Sequence, residues 1–154
     1  MASTTSMLFN TIPDDMLGFW ANQTLQAREV AEFLDFQKAD VAKFSNVSVK
    51  SVRYDEKIPK EVVEHLEQIA IICGLVAEFF AGDARKTALW FRTKNPLLGN
   101  LSPRDMIRYG RMEKLRQIVQ DARAANGLLT SQLAKTTQVA AHGEARKASS
   151  VGAD

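Results

Sequence analysis

Of the residue types that most often staple, ligate or break a chain, the 154 residues hold one cysteine, two histidines and four prolines. A lone Cys73 cannot form an internal disulfide, and Met1–Thr11 has neither a basic region nor a long apolar stretch, so neither a secretory leader nor an oxidising compartment is expected; both points favour the cytoplasm. No apolar run approaches the roughly 20 residues that cross a bilayer, which argues against membrane insertion. Strand-like alternation, internal repeats and a glycine-rich phosphate loop are all missing. His65 stands between acidic residues and His142 falls near the end of the chain, so neither has a partner for nucleophilic or metal chemistry. These absences leave no convergent reactive set, and no catalytic role, metal or cofactor is expected.

What is present is globular composition, with 45% hydrophobic and 25% charged residues, and a charge that is uneven along the chain. The net +2 conceals blocks: −4 over Met1–Phe36, +3 over Gln37–Lys60, −5 over Glu61–Asp83, +7 over Ala84–Arg116 and +1 thereafter. Such alternation suits acidic or polyanionic partners or head-to-tail self-association, as well as ordinary solvated helix faces.

The periodicity is helical throughout, so the fold expected is all-α: a helix-turn-helix unit packed on a long helix, then a small helical module. Residues 1–23 read as a partly flexible N-terminal segment, with a first helix after Pro13. Thr24–Phe36 places Leu25, Val30, Phe33 and Leu34 on one face, with Thr24 as its cap. Lys38–Phe44 and Val49–Tyr54 read as two short helices around the turn Ser45-Asn46-Val47-Ser48. From Pro59, the spacing of Val62, Leu66, Ile69, Cys73, Val76 and Phe80 predicts a long core helix ending at Gly82. Asp83 caps a helix through Phe91, Asn95-Pro96 breaks it, and Leu97–Leu101 is an apolar loop. Ser102-Pro103-Arg104-Asp105 starts a short helix that Gly110 stops, and Arg111–Asn126 is the last. The domains expected are 24–82 and 83–127, with a mobile tail over 128–154.

Two segments carry candidate function. In the first, Ala42 is small where two helices would cross, Asn46 tolerates a left-handed turn, and Val41, Val47 and Val52 would lock the pair. Ser48, Val49, Lys50, Arg53 and Tyr54 then form the exposed start of a recognition helix for DNA, although a helix pair without a DNA role shares the pattern. The second is WFRTKNPLLGNLSPRDMIRYG, Trp90–Gly110, where an apolar loop lies among aromatic, Met and Arg residues typical of interface centres. Leu97, Leu98, Met106 and Ile107 are expected as apolar anchors for a protein partner, Trp90 and Tyr109 as additions to that surface, and Arg92, Arg104, Arg108 and Arg111 as charges for an acidic rim.

The block Trp90, Asn95-Pro96, Leu98-Gly99, Pro103, Ile107 and Gly110 resembles the signature of the toxin-binding domain of the Xre/MbcA/ParS antitoxin family, and the resemblance runs from about Ala31 to Asn126. Asn100 stands where the family often has a second glycine, and Asn46 takes the turn position of the DNA-binding motif. The resemblance implies a cytoplasmic antitoxin of a type II system that blocks a cognate toxin consuming NAD, by degradation or ADP-ribosylation, with NAD being the toxin's substrate and not this chain's cofactor. It further implies operator binding and autorepression by a homodimer or toxin-bridged assembly. A free-standing helix-turn-helix regulator with a dimerising or ligand-sensing C-terminal module is the alternative.

Overall fold

A computed structural model of the protein describes residues 15–127. The N-terminal residues through Asp14 and the tail from Leu128 lie outside them. The chain divides into two compact units, residues 1–119 and 120–154. The first is mostly helical, with one two-stranded hairpin.

The hairpin replaces two expectations. No helix follows Pro13 among the described residues: the Asp15 carboxylate accepts the amides of Phe19 and Trp20, each at 2.9 Å, and folds 15–18 into a turn. Strands β1 (Trp20–Ala21) and β2 (Thr24–Leu25) pair antiparallel across Asn22 and Gln23, both left-handed at φ 50 and 66°. Two consecutive positive φ values suit the right-handed twist of a tight hairpin. Thr24 is therefore a strand residue and no cap, and helix α1 spans Ala27–Phe33.

α1 also stops short of Phe36. Asp35 turns left-handed at φ 54°, and the Phe36 amide bonds back to the Ala31 carbonyl at 2.8 Å, the pattern that closes a helix C-terminus. Four residues, Leu34–Gln37, lead into α2, Lys38–Ser45, whose first turn is tied by the Gln37 amide donating to Asp40 Oδ2 at 2.9 Å. α2 ends where Asn46 adopts φ 57°, the left-handed turn expected of it.

No α-helix forms over Val49–Tyr54. A single 3-10 turn, Val49–Ser51, is followed by an extended Val52 at ψ 112°. β-branched Val and Ser disfavour helix here, and Arg53 bonds Asp55 in a local ion pair while Asp55 also accepts the Lys57 amide, which fixes a turn.

α3, Lys60–Phe79, is the axis of the core. Val62, Leu66, Ile69, Cys73 and Val76 are buried on it as the spacing predicts, whereas Phe80 is the half-buried cap after a helix that ends before the expected Gly82; Ala70, Ile72 and Ala77 widen the stripe so that partners fit on more than one side. α1, α2 and the following α4, Ala84–Arg92, pack against it. Ala81 and Gly82 turn the chain at positive φ, and Asp83 caps α4 by accepting the Lys86 amide at 3.0 Å. A 3-10 turn, Pro96–Leu98, leads to α5, Pro103–Arg108, which lies against α4 and α2. The last helix, α6, occupies 112–127, and Leu115 and Val119 in it are buried. None of the helices among the described residues is long and apolar enough to cross a membrane.

Candidate functional site

The segment Asn95–Leu101 is a closed loop built by its polar residues. Asn95 Oδ1 accepts the Leu97 amide at 2.9 Å, the Asn95 carbonyl accepts the amides of Leu98 and Asn100, and the Asn95 amide donates to the Leu101 carbonyl at 3.0 Å. Gly99 and Asn100 supply the left-handed residues at φ 71 and 63° that reverse the chain. Asn100 thus does locally what a second glycine would. The two leucines at the apex part company: Leu98 turns into the core at 8% exposure, whereas Leu97 stands out at 88%. These hydrogen bonds tie the loop backbone that carries the exposed leucine.

Behind the loop, Ser102 Oγ accepts the Asp105 amide at 3.1 Å and Pro103 occupies the first helical position, as the sequence pattern requires. Pro103, Met106 and Ile107 are buried, with Phe91 beneath the same cluster. Leu98, Met106 and Ile107 are consequently core and offer no side chain to a partner, contrary to the expectation that they anchor one. The large apolar side chains that remain exposed are Leu97 and Tyr109 in the block and Leu89 just before it; Trp90 is half-buried with its ring edge-on to Phe91 at 5.1 Å. Leu89 was not anticipated because its neighbours Ala88 and Trp90 gave the segment a uniformly apolar look.

The arginines separate in the same way. Arg111 is exposed. Arg92 donates to the Phe33 carbonyl at 3.3 Å, and Arg104 donates from Nε to the Leu34 carbonyl and from Nη2 to the Asp35 carbonyl, the latter at 2.6 Å, with its guanidinium over the Phe36 ring at 5.4 Å. Arg108 bonds Asp40 at 3.0 Å and Asp105 at 3.4 Å, and these carboxylates, Asp40 first, raise its pKa above the ordinary guanidinium value. Arg104 and Arg108 therefore serve the α1–α2 turn rather than an external rim. A cleft of about 230 Å³ lined by Asp35, Arg92, Ser102, Arg104 and Asp105 marks where the two segments meet. Spacing along the sequence carries no sign of contacts between residues 59 to 70 positions apart.

Of the residues expected to read DNA, Ser48, Val49 and Lys50 are exposed, with Ser48 Oγ and Ser51 Oγ 2.7 Å apart. Arg53 is held by Asp55, whose carboxyl that bond lowers below its ordinary pKa. Tyr54 is half-buried beneath the Arg28 guanidinium at 5.7 Å, and burial raises its phenol pKa. The five do not share a helix, so they cannot enter a groove together as a recognition helix does. α2, one element earlier, has the regular face they lack: Val41, Ala42 and Ser45 face inward, and Lys38, Ala39, Lys43 and, past its end, Asn46 face solvent.

Among the described residues, no three His, Cys, Asp or Glu side chains are grouped to hold a metal ion. Cys73 is fully buried and burial pushes its thiol pKa up. Comparison of the chain with protein-family models, curated proteins and solved structures yields no match.

Proposed function

We propose that this protein is an antitoxin: a non-catalytic helical adaptor that captures a toxin protein through the Asn95–Leu101 loop and binds the DNA of its own operon through α1, the Leu34–Gln37 turn and α2. The observation that carries the reading is Leu97, 88% exposed at the tip of a loop pinned by Asn95, in the block that resembles the antitoxin family's toxin-binding signature. Arg92, Lys94 and Tyr109 in that block, with Leu89 and Arg111 flanking it, are further exposed side chains. An acidic, apolar-pocketed surface on the toxin fits them.

The DNA-binding half of the proposal moves the helix-turn-helix back by one element. α1 and α2 are separated by four residues with one left-handed backbone at Asp35, the connection such motifs need, and α2 presents Lys38 and Lys43 outward. Lys50 adds a nearby exposed charge in sequence. Two half-sites would require a homodimer or a toxin-bridged assembly. NAD enters only as the substrate of the toxin, and this chain supplies no cofactor chemistry.

Co-expression with the adjacent reading frame tests the partner. Co-purification of the two products and growth rescue by the wild type, lost in Leu97→Asp at equal protein level, support the antitoxin reading. DNA binding with no captured neighbour, and no rescue by the wild type, would instead make the chain a free-standing regulator.

A further inference from the structure

α2 packs on α3 with Val41 and Ala42 buried and the Phe44 ring 6.2 Å from that of His65, and these largely apolar contacts restrain the helix less directionally than hydrogen bonds do. Directional restraint comes from α5. Arg104 uses two edges of a planar fork on two successive carbonyls, Leu34 and Asp35, which fixes the peptide planes that lead into α2. These carbonyls lie just past the last residue of α1, and Asp35 occupies a left-handed backbone without being glycine. Arg108 then fixes the first turn of α2 through Asp40, the carboxylate that also ties the Gln37 amide.

We propose that Arg104 and Arg108 are positioning residues for DNA contact by α2, setting the angle at which that helix leaves the turn while touching no nucleic acid themselves. The inference rests on the α1–α2 reading above and adds what that reading does not contain: the pose of the DNA-facing helix is dictated by the segment that follows the partner-facing loop. A guanidinium engaged on Leu34 and Asp35 is committed away from phosphate, which separates this role from an ordinary basic contact.

The test uses the full chain and a duplex spanning the region upstream of its own reading frame, titrated over a range of KCl, with Arg104→Lys, Arg108→Gln and the double reversal Lys38→Glu/Lys43→Glu. A lysine cannot reproduce two parallel bonds, so Arg104→Lys is expected to weaken binding roughly tenfold or more, the scale of a lost charge-assisted hydrogen bond. The salt slope should stay that of the wild type, and hydrogen exchange at the Phe36 and Gln37 amides should accelerate. Because lysine keeps the charge, the slope is also read in Arg104→Gln and Arg108→Gln, where a decrease of about one would mark the arginine as a phosphate ligand and overturn the proposal. Unchanged affinity in both arginine variants, beside loss in the double reversal, overturns the proposal and leaves the α2 reading standing. If the double reversal binds like the wild type, the α2 reading fails and the proposal with it. Should Arg104→Lys not fold, Arg108→Gln, which breaks only the links to Asp40 and Asp105, carries the same measurements.

Discussion

Arg108 meets the carboxylate of Asp40 at 3.0 Å, 68 residues away in the chain, and that carboxylate simultaneously accepts the Gln37 amide at 2.9 Å. One side chain is thereby both the local tie of a helix start and the anchor of a distant helix. Removing it should remove both. Asp40→Ala is expected to cost about 1–2 kcal/mol, the upper figure tempered because Arg108 is partly solvated. Thermal melting followed by circular dichroism reads it; a midpoint equal to wild type would mean that neither bond contributes.

Ser45 presents the opposite case. Its hydroxyl is buried at the end of α2 with no hydrogen-bond partner. Ser45→Ala keeps the shape and removes the unsatisfied group, so a gain of about 1 kcal/mol is expected in urea denaturation at unchanged m. A loss of stability would show that the hydroxyl is satisfied in solution.

The two leucines of the pinned loop should respond in reverse order to two assays. Leu98→Ala opens the core and should cost about 2–4 kcal/mol, whereas Leu97→Asp should change stability by less than about 0.5 kcal/mol. Partner capture should fail for Leu97→Asp with the fold intact, and faster dissociation is the signature. Equal melting losses for both would contradict their burial.

Glu67 gives a pH signature. Partial desolvation against the helix surface, aided by the neighbouring Glu64, raises its pKa in the folded chain, so the folded state holds that proton more tightly than the unfolded state does. Its relative stabilisation is present below the ordinary glutamate range and is lost as pH rises through the folded value. Glu67→Gln should therefore gain most against wild type near neutrality and lose that advantage in acid. The gain is small because the side chain is largely exposed. An advantage that grows on acidification would reverse the sign.

Helical character and the long core helix were legible in the sequence because their information is local: the repeat of Val62, Leu66, Ile69, Cys73 and Val76, the caps at Asp83 and Ser102, and the left-handed Asn46. What could not be read has two causes. Asn22-Gln23 and Asp35 turn left-handed without glycine, so the hairpin and the end of α1 lack their usual marker, and the helix expected over Val49–Tyr54 is a 3-10 turn and an extended segment instead. In the block from Trp90 to Gly110, the residues that pack inward and those that face out are the same types side by side. Leu97 and Leu98 are the same residue type on one turn tied by Asn95, yet one is exposed and the other buried, and Arg104, unlike the exposed Arg111, bonds carbonyls some 70 positions earlier.

The burial of Cys73 among Ile69, Ile72 and Val76 has a practical side for bench work on this protein. A thiol that is sealed from solvent, with its thiolate disfavoured by burial, is silent toward maleimides, and it is the sole cysteine of the chain. The native sequence is thus already a clean background for site-specific labelling: a Leu97→Cys variant should take up one fluorophore at the loop tip, and its emission would report the arrival of a partner without any prior removal of cysteines.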